Sequence, residues 1–277
     1  MVEVAVTVCC DRRIVLAASE WSPPDVCVAS GQKLQKARPM PVDKTGGRIR
    51  EMFGEIAGRY DFMNHFLSMG TDYYWRWKAV RLVGPLADAP ILDVCTGTGD
   101  LAFAFRGHLP ETAPVFATDF TFGMLQLAQQ KRGQRDVRFI EADTMALPFT
   151  DNMFQLVSVA FGLRNVSSTL GGLQEMARVC SPGGKVMVLE FSLPGNKLLS
   201  SIYQWYFRNI LPMLGQLLVR NRHAAYEYLP QSVSEFPYGA QLTGLMEQAG
   251  LTNTRYYPLT GGIASVYIGE KPALQSA

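Results

Sequence analysis

Between residues 91 and 191, short aliphatic runs alternate with amphipathic stretches. "ILDVC", "PVFATD", "VRFIEA", "FQLVSVAF" and "KVMVLEF" are the aliphatic runs, and helical patterns begin after Gly99, Thr121 and Ser167. Runs this apolar suit strands covered on both faces, and a helix between two strands imposes a crossover connection. The alternation predicts an α/β chain with a parallel sheet flanked by helices. Pro182, Gly183 and Gly184 predict a turn before the fifth strand. A helix is expected over roughly 73–83, another over 238–249, and two strand-like runs, 253–258 and 263–270, close the chain.

The flanks are less regular. Residues 1–43 hold no sustained period and carry Pro23, Pro24, Pro39 and Pro41, so a poorly ordered leader is expected there, with Met40 an alternative start. A domain over 44–277 follows, and a length of 277 residues suits one decorated domain. It opens on "KTGGRIREMFGEIAGRYDFMNHFL", where Ile49, Met52, Phe53 and Ile56 keep helical spacing. From about 193 to 235 an aromatic-rich insertion with helical character interrupts the alternation.

Several classes are disfavoured. The 26 Lys+Arg nearly balance 24 Asp+Glu without like-charge runs, so a nucleic-acid surface is not expected. Cys9, Cys10, Cys27, Cys95 and Cys180 form neither a disulfide framework nor a metal pattern, which fits a reducing compartment. The first residues lack the cationic start of a signal peptide, and no apolar window is long enough to span a bilayer. No His/Cys/Asp grouping has metal-ligand spacing.

The chemistry concentrates in "ILDVCTGTGDLAFAF", residues 91–105: a strand, a turn through Gly97 and Gly99, and a helix start. Gly97, Gly99 and Ala102 fit the dinucleotide pattern, so a nicotinamide oxidoreductase is one reading. Asp93 points instead to S-adenosylmethionine. A carboxylate there attracts the cationic methionine part, and would repel a pyrophosphate. Asp119 ends the next strand, where ribose hydroxyls would sit, and Asp143 ends the third, placed for an adenine amino group.

"YDFMNHFLSMGTDYYWRW" (60–77), "FGLRNV" (161–166), "RVCSPGGKVMVLEFS" (178–192), "AAYEYLPQSV" and "LTGGI" resemble the UbiE/MenG family of menaquinone and ubiquinone C-methyltransferases, over roughly 45–271. The resemblance implies a Rossmann-like, seven-stranded class I SAM-dependent methyltransferase with an N-terminal helical lid. It implies cofactor contacts at Thr98, Asp119, Asp143, Thr144 and the Ala160 backbone. Asp72 stands where the family pattern has His, and Cys180 and Ser181 replace an aliphatic residue and a lysine.

The implied reaction methylates a ring carbon of a reduced polyprenyl quinone, demethylmenaquinol in the first reading and a polyprenyl methoxy-benzoquinol in the alternative. Only the phenolate is a good carbon nucleophile, and forming it near neutrality costs about 4 kcal/mol. Arg164 is the candidate cation to offset that cost, Asn165 a second donor, and Tyr60 with Asp61 and Asn64 part of the lid. His65 and His223 lie in segments that could reach the site, and His108 looks structural. A non-catalytic SAM-binding scaffold is a further reading, against which the intact FGLRN stands. The aromatics and arginines of 198–222 suit contact with a membrane surface, placing the chain in the cytoplasm at the inner face of the membrane. A homodimer is compatible with the same segment.

Overall fold

The computed structural model describes His65, residues 68–196, Ser201 and residues 231–273. All of them belong to the compact unit Pro41–Ala277. The expected leader, the helix over 44–64, most of the 193–235 insertion and His223 lie outside the described residues.

The elements follow the predicted alternation. Helix α1 (Thr71–Val83) precedes β1 (Ile91–Val94), α2 (Asp100–Arg106), β2 (Val115–Asp119), α3 (Phe122–Lys131) and β3 (Arg138–Glu141). After β3 come β4 (Phe154–Ala160), a 3-10 turn (Leu163–Asn165), α4 (Thr169–Val179) and β5 (Cys180–Phe191). The chain closes with α5 (Ala240–Gln248), β6 (Thr252–Leu259) and β7 (Ala264–Glu270). The strands form one seven-stranded sheet ordered β3-β2-β1-β4-β5-β7-β6. β7 runs antiparallel to both its neighbours, and the pairings from β3 to β5 are parallel.

Pro182, Gly183 and Gly184 do make an irregularity, inside β5. Its register against β4 jumps from Phe154–Cys180 to Leu156–Lys185, so the intervening residues loop out of the ladder. Lys185 onward is the regular strand.

Burial on both faces explains the aliphatic runs. Successive residues point to opposite faces. Ile91, Leu156, Met187 and Val266 pack with Trp75, Ala79 and Val83 of α1 and Phe105 of α2. Leu92, Val157, Val188 and Tyr267 pack on the other face with Leu173 and Met176 of α4 and Leu242 and Met246 of α5. The β3 edge strand carries exposed Arg138 and Glu141, which discourages further strand pairing.

The chain leaves β1 toward β2 and β3, then returns to lay β4 on the other side of β1. That reversal opens a crevice at the carboxyl ends of β1 and β4, where open α/β sheets take their ligands.

Candidate active site

β1 delivers Asp93 to this crevice, and residues 95–99 turn back into α2. Gly97 (φ 56°) and Gly99 (φ 88°) occupy the left-handed region that favours glycine. A Cβ on Gly99 would lie 2.9 Å from the Phe103 ring, so the loop sits tight on its helix. The Gly97 N–H donates to Asp119 Oδ2 at 2.9 Å, and the Thr121 N–H donates to Asp119 Oδ1 at 2.8 Å. Thr96 Oγ1 and Ser158 Oγ donate to Asp93 at 2.6 and 2.8 Å. The acid at the end of β2 thus holds the glycine loop that follows β1, and a β4 hydroxyl holds the acid of β1.

Both carboxyl groups are buried, and neither bonds to a cation among the described residues. Burial pushes the Asp93 carboxyl up to about 7; the Thr96 and Ser158 hydroxyls oppose this and the Asp119 charge adds to it. Burial also raises Asp119, against the amides of Thr121 and Gly97. Two carboxyls with no cationic partner among the described residues suit a ligand carrying an ammonium and a sulfonium, and oppose a pyrophosphate.

The other expected cofactor contacts gather at the same edge. Thr144 is buried, its hydroxyl 3.2 Å from Cys95 Sγ, which joins the loop after β3 to the glycine loop. Asp143 is exposed and accepts from the Met145 N–H at 2.9 Å. Thr98 is buried within the loop, and half-buried Ala160 ends β4 just before Phe161, whose φ is 55°.

Arg164 is buried in the 3-10 turn after β4, but not as a lone cation. Its Nη1 donates to Glu190 Oε1 and Oε2 at 3.2 and 3.0 Å and to the Phe161 carbonyl. Glu190, at the end of β5, is fully buried and also accepts from the Arg164 and Phe191 N–H groups at 3.3 and 3.1 Å. The guanidinium lies over the Phe191 ring at 5.3 Å, and its Nε has no hydrogen-bond partner. The counter-ion was legible only as the one carboxylate in the largely apolar run "KVMVLEF". Asn165 is half-buried in the same turn, and its N–H donates to the Gly162 carbonyl at 3.0 Å. Tyr60, Asp61 and Asn64 lie outside the described residues. His108 caps the end of α2, its Nδ1 2.9 Å from the Ala104 carbonyl oxygen.

The structure joins His65 and Asp72 to Arg76 and Asp100 in a charged cluster beside the glycine loop, a grouping that their spacing in the sequence does not show. His65 Nδ1 lies 2.5 Å from Asp72 Oδ2, which Arg76 also meets at 2.6 Å, and Ser68 donates to Asp72 Oδ1 at 2.6 Å. Arg76 reaches Asp100 Oδ2 at 3.5 Å, and Lys131 bonds to Oδ1 of the same acid. Asp72, standing where the family pattern has His, therefore shares its cluster with an imidazole from another position.

The reversed seventh strand, the glycine turn between two acid-ended strands and the buried acids without a cationic partner among the described residues define a class I SAM-dependent methyltransferase. Solved structures agree on the fold. A SAM-dependent methyltransferase of Thermotoga maritima aligns with a TM-score of 0.59 at 17% identity, covering 80% of this chain and 99% of that one. A Haemonchus contortus phosphoethanolamine N-methyltransferase solved with S-adenosyl-L-methionine aligns with a TM-score of 0.54 at 14% identity, covering 71% and 52%. The chain belongs to the ubiE/COQ5 methyltransferase family, which residues 42–271 match. It is 44% identical to a demethylmenaquinone methyltransferase of Thermus thermophilus, over 80% of this chain and all of that one. It is 41% identical to a ubiquinone/menaquinone biosynthesis C-methyltransferase of a Geobacter strain, over 83% and 99%. S-adenosyl-L-methionine is accordingly its cofactor.

Proposed function

We propose that this enzyme methylates the quinol ring of demethylmenaquinol to give menaquinol, acting at the inner membrane surface where the prenyl tail resides. The observation that carries the site assignment is the pair of buried carboxyls, Asp93 and Asp119, bonded among the described residues to hydroxyls and amides around the glycine loop. When bound, S-adenosylmethionine supplies an electrophilic methyl group. Asp93 lies near the ammonium of its methionine part, Asp119 near the ribose hydroxyls, and Asp143 and Thr144 near the adenine; Thr98 and the Ala160 backbone complete the set. The Thermus thermophilus relative is named for demethylmenaquinone alone and the Geobacter relative for both quinones, which supports the naphthoquinol over a methoxy-benzoquinol.

Arg164 and Asn165 face the developing phenolate in this reading. Because Glu190 neutralises Arg164, the pair acts as a fixed dipole whose remaining N–H groups orient the quinol oxygen or a water that accepts its proton. Exclusion of water is the part this reading assigns to Tyr60.

Purified enzyme with S-adenosylmethionine and demethylmenaquinol should yield menaquinol, read by mass. Asp119→Ala should weaken cofactor binding at least about tenfold by calorimetry, since a hydrogen bond to a charged group contributes about 1.5–3 kcal/mol. Unchanged affinity in that variant would remove Asp119 from the site, and a quinol recovered unmethylated would refute the substrate.

A further inference from the structure

The outer face of α1 carries more exposed aromatic surface than the aqueous side of a helix ordinarily does. Tyr73 and Trp77 are 58% and 42% exposed and lie four residues apart, with Arg81 exposed at the next step; Met69, 83% exposed, sits in the turn before the helix. That spacing puts Tyr73, Trp77 and Arg81 on one stripe. Tyr74, 47% exposed, flanks the stripe with its ring 6.0 Å from that of Trp77, and Lys78 follows it by one turn. Arg81 lies over the Trp77 ring at 4.4 Å. The only carboxylate in the helix, Asp72, is turned inward onto Arg76. Single exposed apolar residues are ordinary on a protein surface; three aromatics within five residues of one helix, edged by cations and free of exposed helix acid, are not.

We propose that this face of α1 docks on an anionic lipid bilayer, the helix lying flat in the headgroup layer. Tyr and Trp present an apolar ring and a polar tip, the amphipathic form suited to that layer, while Lys78 and Arg81 meet lipid phosphates through long apolar stems. A helix of 13 residues spans about 20 Å, too short to cross the hydrocarbon core. A second copy of this chain is a poorer occupant. A two-fold contact would set the cationic face of α1 against its own copy, with no exposed helix carboxylate to receive Lys78 or Arg81. The face adjoins the site through Arg76, which reaches Asp100 at the head of α2. Its use in quinol delivery rests on the proposed function, whereas the docking does not.

Vesicle flotation of the full chain tests this directly, with phosphatidylcholine alone and with phosphatidylglycerol added. The wild type should float with the phosphatidylglycerol vesicles and release at high salt. Tyr74→Ser with Trp77→Ser should lower partitioning at least about tenfold, two aromatic side chains losing their lipid contact. Arg81→Gln should lower it about fivefold, the fold-change equivalent to the ~1 kcal/mol of one cation at an anionic surface. Calorimetric binding of S-adenosylmethionine should stay at the wild-type value in each variant and so report an intact fold. Wild-type flotation in the variants would overturn the proposal, as would a lipid-free dimer that the same substitutions dissolve. Flotation by an enzyme that methylates no quinol would leave the docking standing and refute the substrate reading instead.

Discussion

Asp93 holds its proton to about pH 7 because burial outweighs the Thr96 and Ser158 hydroxyls. An unfolded aspartate titrates near 3.9, so between about pH 4 and about pH 7 the folded chain binds a proton that the unfolded chain has lost. Stability of the free enzyme should therefore fall as pH rises through that window, by up to about 4 kcal/mol, and level off above it. Asp119, also raised, adds with the same sign. Asp93→Asn should flatten the decline, as should bound S-adenosylhomocysteine through its ammonium; melting temperature against pH reads both, and a rise across the window would contradict the burial argument. At Arg164 the residue-scale cost has a different origin. Arg164→Ala leaves the fully buried Glu190 unpaired, a loss of about 3–5 kcal/mol in a urea titration. Replacing both partners, Arg164→Met with Glu190→Leu, should recover most of that stability. Single-turnover methyl transfer should nevertheless stay on the order of a hundredfold down. If Arg164→Ala unfolds like the wild type, the ion pair contributes nothing.

Elements meet at the site through contacts too close to tolerate another carbon. A Cβ on Gly162, in the turn after β4, would lie 2.3 Å from the Cβ of Cys95 after β1. Gly162→Ala must therefore push the two loops apart, costing about 1–3 kcal/mol and spreading the crevice. Calorimetry should show S-adenosylmethionine binding weakened several-fold. Gly123→Ala near the start of α3, with open space around it, is the control and should leave binding unchanged. Wild-type binding in both variants would mean that the loops yield at no cost to the site. The strands, and the helices among the described residues, were readable from period and punctuation, since each buries a face whose spacing is written locally. Unreadable was the reversal of β7, because a strand's direction depends on the partner it pairs with, and that partner, β5, is far away in the chain.

For the molecule as a whole, cofactor binding and folding are linked. S-adenosylmethionine at about a hundred times its dissociation constant should add about 2.7 kcal/mol of stability, a rise in melting temperature of roughly 5–10 °C for a domain of this size. NADH at the same concentration should add none, because Asp93 opposes its pyrophosphate; equal shifts would revive the dinucleotide reading. The α/β alternation, the glycine turn and the acids at the strand ends were determined by the sequence alone, because propensity, hydrophobic period and turn chemistry act over a few residues. Only the tertiary structure decided which side chains pair with one another. Glu190 against Arg164, Ser158 against Asp93, and Arg76 between Asp72 and Asp100 depend on strand order and helix packing. A charge is buried or exposed, paired or alone, by virtue of neighbours that the chain brings near only on folding, and those neighbours set the chemistry of the site.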